Sequence, residues 1–244
     1  MAFGTATVPA VRKIFGPGNQ YVTCAKQLVQ QQGVAIDMPA GPSEVAVYAD
    51  ASAVPAYVAA DLLSQAEHGP DSQVVLVLSD ENLLAPVQAE ITRQLSTLGR
   101  QAFASAALEN SKIFIVKNTA EAMDLLNAYA PEHLILSCRD SDAAGAMVVN
   151  AGSVFLGNYS PESAGDYATG TNHTLPTNGY ATTYSGVSVD SFVKKITYQQ
   201  LTREGLQQIG PAVMEMAAAE GLGAHRNAVA LRLSPQPVTA AIES

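Results

Sequence analysis

Short apolar runs alternate with longer helical patterns up to residue 156, and this alternation limits the folds open to the chain. The predicted strands are Val11–Phe15, Val45–Tyr48, Val74–Leu78, Ile113–Val116, Leu134–Leu136 and Val154–Leu156. The predicted helices between them are Gln20–Gln32, Val54–Glu67, Asn82–Leu98, Ala120–Tyr129 and Ala143–Asn150. Strands that alternate with helices in this way predict an α/β fold with a mainly parallel sheet and flanking helices.

The remainder of the chain follows a different pattern. Residues 158–186 are rich in Gly, Ser, Thr and Asn, and their ordered placement of Asp, His and Pro favours a functional loop region over a linker. Helical patterns then cover Gln199–Ile209, Pro211–Glu220 and a shorter stretch near Asn227–Leu231, before a polar tail. We therefore expect a small C-terminal helical segment after the α/β part.

Composition excludes several classes of protein. The chain has 244 residues, of which 48% are hydrophobic and 14% charged, so it can bury a sizeable core. A net charge of -9 without a run of Lys or Arg argues against nucleic acid and anionic membranes as partners. Two distant cysteines suit a reducing compartment, and no apolar run reaches the length of a membrane span. We expect a cytoplasmic protein that binds small molecules.

A candidate metal site begins with Gln65 and His68, which are three residues apart in a predicted helix and would share one face. Asp166 and His225 would complete a set of two imidazoles, one carboxylate and one amide oxygen. Such a mixed N/O set suits Zn²⁺, with Mn²⁺ or Co²⁺ as possible substitutes. The alternative is that these are ordinary polar groups on a solvated surface.

Glu132 and His133 follow a proline and begin a predicted strand, so their side chains are expected on opposite sides of the backbone. A histidine titrates near neutral pH and passes protons, while a nearby carboxylate can activate a water molecule. The pair therefore predicts acid/base chemistry. A simple ion pair at the edge of a sheet is the alternative.

Two turns are candidates for ligand binding. The turn Gly16-Pro17-Gly18-Asn19 lies between a predicted strand and helix, where exposed amide groups suit a polar or anionic ligand, although an ordinary turn is equally compatible. The second turn carries Ser43 between two prolines and a strand. Because no histidine adjoins Ser43, binding or turn formation is favoured over a nucleophilic role.

Six segments together identify a family resemblance. In chain order they are FGPGN, IDMPAGPSEV, DLLSQAEHGPDS, PEHLI, AGSVFLGNYSPESAGDYATGTNHTLPT and AAAEGLGAHRNAV. They resemble the segments of histidinol dehydrogenase, and the match runs over nearly the whole chain. The resemblance implies oxidation of L-histidinol to L-histidine through the aldehyde, with two NAD and one Zn²⁺ per active site.

The resemblance also implies roles for individual residues. The implied catalytic pair is Glu132 and His133, with His133 as general base and Glu132 activating water. The implied zinc ligands are Gln65, His68, Asp166 and His225. The implied substrate contacts are Ser43, Gln65, His68, His133, Asp166, His173, Glu220 and His225. Asn19 matches a position that contacts NAD.

The resemblance further implies an incomplete, Rossmann-like architecture. Residues 1–42 would be a remnant of the NAD-binding domain, 43–187 the zinc- and substrate-binding domain, and 188–244 a dimerisation segment. In the implied homodimer, Glu220 and His225 complete the partner's site. Since family members have a long portion before the FGPGN turn, we expect weak NAD binding and little activity. The alternatives are a non-catalytic fragment that binds zinc and histidinol, and a zinc hydrolase that uses Glu132 as base.

Overall fold

The computed structural model describes residues 1–16 and 19–234, and these residues form two compact units. The first unit spans residues 1–193 and the second begins at residue 194. Pro17, Gly18 and the polar tail from residue 235 onward lie outside the described residues. The division into 1–42, 43–187 and 188–244 stays a prediction.

A five-stranded parallel sheet forms the centre of the first unit. Its strands, in spatial order, are β5 (Lys112–Ile115), β4 (Gln73–Leu78), β3 (Glu44–Ala49), β6 (His133–Ser137) and β7 (Ser153–Leu156). A short parallel pair, β1 (Lys13–Ile14) and β2 (Ala35–Ile36), precedes it. All strand pairs in the described residues are parallel, which confirms the predicted fold class.

Helices cover both faces of the sheet, because parallel strands must be joined by crossovers. The helices of the first unit are α1 (Gln20–Gln30), α2 (Pro55–Ala66), α3 (Leu84–Leu95), α4 (Gln101–Glu109), α5 (Thr119–Tyr129), α6 (Ser141–Gly145) and α7 (Glu162–Tyr167). One apolar cluster joins the sheet to α2, α3 and α4, and a second joins its other face to α5 and α6. The central strands are consequently buried on both sides.

Several predicted bounds were wrong. The first strand is only Lys13–Ile14, and the pattern assigned to Asn82–Leu98 is a 3₁₀ turn followed by α3. Neither β2 nor α4 was predicted, although the alanine-rich sequence of α4 favours a helix. The predicted helix Ala143–Asn150 ends at Gly145, and the expected loop region contains α7.

The second unit contains α8 (Arg203–Ala219) and α9 (Gly223–Leu233). Two separate helices were predicted here, Gln199–Ile209 and Pro211–Glu220. A proline inside a helix removes a hydrogen bond and can interrupt the helix. Instead α8 continues through Pro211, and close packing on α9 supports it there. A Cβ at Gly210 would lie 2.6 Å from Leu233 Cδ1.

In the described part of the chain, no helix combines the length and apolar character needed to cross a membrane.

Candidate active site

The candidate site lies where β3 and β6 begin, at the amino edge of the sheet. His133 is the first residue of β6 and pairs in register with Val45, the second residue of β3. Helix α2 follows β3 and returns across the sheet, so its last residues, including Gln65, come back to this edge. Helix α7 packs against α2 and adds Glu162 and Asp166. Four separate elements therefore supply one site.

The tautomer of His133 follows from its hydrogen bond. Its Nδ1 lies 3.1 Å from the carbonyl oxygen of Glu44, which can only accept, so Nδ1 carries the proton. In the neutral ring Nε2 is then unprotonated. This nitrogen is buried without a hydrogen-bond partner among the residues that the structure describes, and lies 3.7 Å from Asp166 Oδ1. Burial lowers the pKa of His133, which favours the neutral ring as a proton acceptor.

Glu132 is held by the same residue that orients His133. Its Oε2 accepts a 2.9 Å hydrogen bond from the Glu44 backbone N–H and lies 3.7 Å from His133 Nδ1. Burial, reinforced by the charges of Glu44 and Asp166, raises the pKa of Glu132 to about 8. The expected divergence of the two side chains is not observed, because Glu132 precedes the strand and strand alternation does not apply to it.

Glu162 is a site residue that sequence reasoning missed. It is 2% exposed, and the Gln65 amide, which is 1% exposed, donates to both of its carboxylate oxygens at 2.7 and 3.1 Å when the amide nitrogen is assigned to the atom that faces them. Burial, with the charges of Asp166, Glu132 and Asp61 adding to it, raises the pKa of Glu162 to about 9. A spacing of four residues from Asp166 was the available signal, since it places both carboxylates on one face of a helix.

The first unit offers donors that fit a divalent cation. Ligand atoms of His133, Glu162 and Asp166 lie within 4.8 Å of one another, and the Gln65 amide adjoins them. Buried carboxyl groups lie beside an imidazole nitrogen that lacks a hydrogen-bond partner among the described residues, and a bound cation would favour their ionised form. Oxygen and imidazole ligands suit Zn²⁺.

Two other predicted zinc ligands, His68 and His225, are exposed side chains. Helix α2 ends at Ala66, so the prediction that Gln65 and His68 share a helical face was wrong. His68 lies in the following turn and is exposed, but its charge contributes to the lowered pKa of His133. His225 is exposed on α9 in the second unit.

Three predicted ligand-binding residues line one cleft. Asn19, Ser43 and His68 lie around a cavity of about 550 Å³. The Asn19 side chain caps α1 by accepting from the N–H groups of Tyr21 and Val22. The cleft therefore contains a helix N-terminus, a location that suits a polar or anionic group.

A buried ion pair fixes the backbone that leads into the glycine-rich turn. Lys26 pairs with Asp37, and the Lys26 ammonium also donates to the Gly16 carbonyl oxygen at 2.9 Å. Asp37 in turn accepts from the Gly16 N–H at 2.8 Å. Both backbone groups of Gly16 are thus held, although Gly18 itself lies outside the described residues.

The remaining predicted substrate contacts lie on exposed positions. His173 is exposed in the segment after α7, and Glu220 is the exposed C-cap residue of α8 in the second unit. Their roles, and that of His225, stay predictions.

Comparisons with known proteins identify the family. The family profile of histidinol dehydrogenase matches residues 1–233. Histidinol dehydrogenase of Bacteroides thetaiotaomicron is 63% identical over 96% of this chain and 55% of its own length. The chloroplastic enzyme of Oryza sativa subsp. japonica is 57% identical over 99% of this chain and 52% of its own length.

A solved structure agrees with these relatives. The crystal structure of histidinol dehydrogenase from Elizabethkingia anophelis superposes with a TM-score of 0.93 at 58% identity, over 96% of this chain and 54% of that chain. The present chain thus spans about half the length of the curated relatives it matches. On this evidence the chain belongs to the histidinol dehydrogenase family.

Proposed function

We propose that this chain is the part of a histidinol dehydrogenase that holds the substrate, a zinc ion and the acid/base groups. The complete enzyme would oxidise L-histidinol through histidinal to L-histidine with two NAD. The observation that carries the proposal is the buried His133, whose unprotonated Nε2 lacks a partner among the described residues and lies beside Asp166. Such a nitrogen can take the proton that each oxidation releases.

His133 and Glu132 act in different proton-transfer steps of the proposed reaction. In the first oxidation, Nε2 of His133 takes the alcohol proton while a hydride leaves the substrate carbon for NAD⁺. The Glu132 carboxylate then removes a proton from the water that adds to the aldehyde, and protonated His133 returns its proton to the aldehyde oxygen, which completes the gem-diol. His133, after losing its proton, takes the proton of the resulting gem-diol as a second hydride leaves for another NAD⁺. Each oxidation thus transfers two electrons and releases one proton.

The zinc ligands in this proposal are Gln65, His68, Asp166 and His225, as the resemblance implies. When bound, Zn²⁺ would act as a Lewis acid that fixes the imidazole and amino groups of the substrate, since it has no redox chemistry of its own. The buried carboxylates and amide of the first unit support this assignment. Ser43 and His173 would contact the substrate, and Asn19 the NAD.

A homodimer is the proposed assembly. In it, Glu220 and His225 of one copy complete the site of the other copy. Both residues are exposed on the second unit and are therefore accessible to a partner chain. A helical segment that carries site residues at its surface is consistent with a shared site.

Calorimetric titration of the zinc-loaded chain with histidinol and, separately, with NAD⁺ tests the proposal. We expect histidinol to bind, NAD⁺ to bind weakly and NADH to form slowly or not at all. A chimera fused behind the part of the Bacteroides thetaiotaomicron enzyme that this chain does not match should then form NADH from histidinol. Absence of histidinol binding by the chain, together with an inactive chimera, would contradict the proposed function.

A further inference from the structure

We propose that Glu162 is a positioning residue that sets the orientation of the Gln65 amide. This inference rests on the proposed function, because it concerns the zinc site. Glu162 would hold the amide NH₂ group, so that the amide oxygen is turned away from the carboxylate and is available to the cation.

Beside a bound cation, which favours the ionised form of Glu162, the geometry permits only one favourable orientation of the amide. An amide can exchange its oxygen and nitrogen positions by rotating about half a turn. With nitrogen towards Glu162, the amide donates two hydrogen bonds, at 2.7 and 3.1 Å. With oxygen there, it would face two carboxylate oxygens at these distances. The carboxylate therefore determines the orientation of Gln65.

Burial strengthens the preference of the Gln65 amide for this orientation. Gln65 is 1% exposed and Glu162 is 2% exposed, so solvent has little access to replace a lost hydrogen bond. An unsatisfied buried polar group is costly, which penalises the reversed amide further. Because Gln65 lies in the last turn of α2 and Glu162 begins α7, the contact also fixes the two helices relative to each other at the site.

Orientation matters because a hard or borderline cation binds an amide through its oxygen and is repelled by the NH₂ group. Groups that orient metal ligands without touching the metal commonly change metal affinity 10- to 100-fold, in order of magnitude. The competing interpretation is that Glu162 is itself a ligand with His133 and Asp166, whose atoms also lie close together. Only a positioning residue acts through Gln65.

A double-mutant cycle on zinc affinity separates the two interpretations. The affinity of the 244-residue chain is measured by competition with a chromophoric chelator for the wild type, E162A, Q65A and the double variant. We expect E162A to weaken binding roughly 10- to 100-fold in the wild type, but less than about 3-fold when Gln65 is already absent. Equal losses in both backgrounds would overturn the proposal.

The conservative variant E162Q is the matched control. It keeps one acceptor oxygen for the Gln65 NH₂ group, so its zinc affinity should stay within about 3-fold of the wild type. A loss in E162Q that remains when Gln65 is absent would overturn the proposal, and the double-mutant cycle is repeated with E162L if E162A does not fold. Thermal unfolding of the metal-free variants monitors folding.

The outcomes also separate this inference from the function on which it rests. If the wild-type chain binds no zinc, both the metal assignment and the role of Glu162 fail. If it binds zinc and the two substitutions have additive effects, only the role of Glu162 fails.

Discussion

The backbone of Glu44 controls both members of the acid/base pair. Its carbonyl oxygen accepts from His133 Nδ1, and its N–H donates to Glu132 Oε2. One hydrogen bond therefore selects the ring nitrogen that can accept a proton, and the other anchors the carboxylate. Because these are backbone groups of a buried strand, no side-chain motion is needed to keep them in place.

Substitution of His133 tests the assignment of the base. In the active chimera, H133N should lower the rate of NADH formation by roughly 10²- to 10⁴-fold, because no neutral nitrogen remains to accept the proton. Zinc affinity serves as the control and should change little, since His133 is not one of the proposed ligands. A variant that keeps most of the wild-type rate would show that another group is the base.

Asp61 should make the stability of the chain depend on pH. Burial raises the pKa of this carboxyl to about 7, above its ordinary value of 3.8. The folded state therefore binds a proton more tightly than the unfolded state, so stability decreases as pH rises through this interval. D61N removes the effect, and should be more stable than the wild type at pH 8 by up to about 4 kcal/mol.

Denaturant unfolding of the wild type and D61N at pH 4 and pH 8 measures this difference. At pH 4 the folded carboxyl is protonated, so the gap between the two proteins should largely disappear. A gap of the same size at both pH values would show that ionisation of Asp61 is not its cause.

The start of β7 sets the position of the catalytic segment. Gly152 donates its N–H to the Pro131 carbonyl, and Ser153 donates to the Glu132 carbonyl. A Cβ at Gly152 would lie 2.5 Å from the Glu132 carbonyl oxygen and 3.1 Å from Leu175 Cβ. Glycine is thus required here by close approach of two backbones, not by an unusual dihedral angle.

G152A should destabilise the chain by about 2–3 kcal/mol, because a backbone must move to admit the methyl group. It should also weaken histidinol binding, since the displaced segment carries Glu132 and His133. The matched control is G99A, where a Cβ would meet nothing within 4 Å. Equal denaturation midpoints for G152A and the wild type would refute the argument from close approach.

The first unit holds the buried acid/base groups, whereas Glu220 and His225 lie on the second unit. The proposed homodimer makes a prediction that concerns the whole molecule. Neither H68A nor H225A should bind zinc tightly, because each lacks one ligand at every site. In a mixture that exchanges subunits, each mixed dimer should recover one intact site, so about one quarter of all sites should bind zinc.

Zinc titration of the two variants, separately and after mixing in equal amounts, tests the shared site. If both ligands come from the same copy of the chain, mixing restores no binding. A recovered fraction near one quarter requires ligands from two copies.

Sequence patterns were sufficient for the parallel α/β class and for the central strands. Val45–Tyr48 and Val74–Leu78 are almost the full extents of β3 and β4. Apolar, β-branched runs are buried on both faces of a parallel sheet, so their hydrophobicity alone identifies them. Of the two-residue strands, β1 was predicted too long and β2 was not predicted, because such short strands are stabilised mainly by their pairing.

The candidate site, like the fold, was predicted only in part from the sequence. By itself the sequence determined the fold class, the family resemblance and several candidate residues, because residue type and spacing can be read from the sequence directly. These candidates are Gln65, Glu132, His133 and Asp166. Only the tertiary structure decided which nitrogen of neutral His133 is unprotonated and that Glu162 adjoins Gln65. Those relations depend on hydrogen bonds between segments far apart in sequence, whose distances and directions are set by packing.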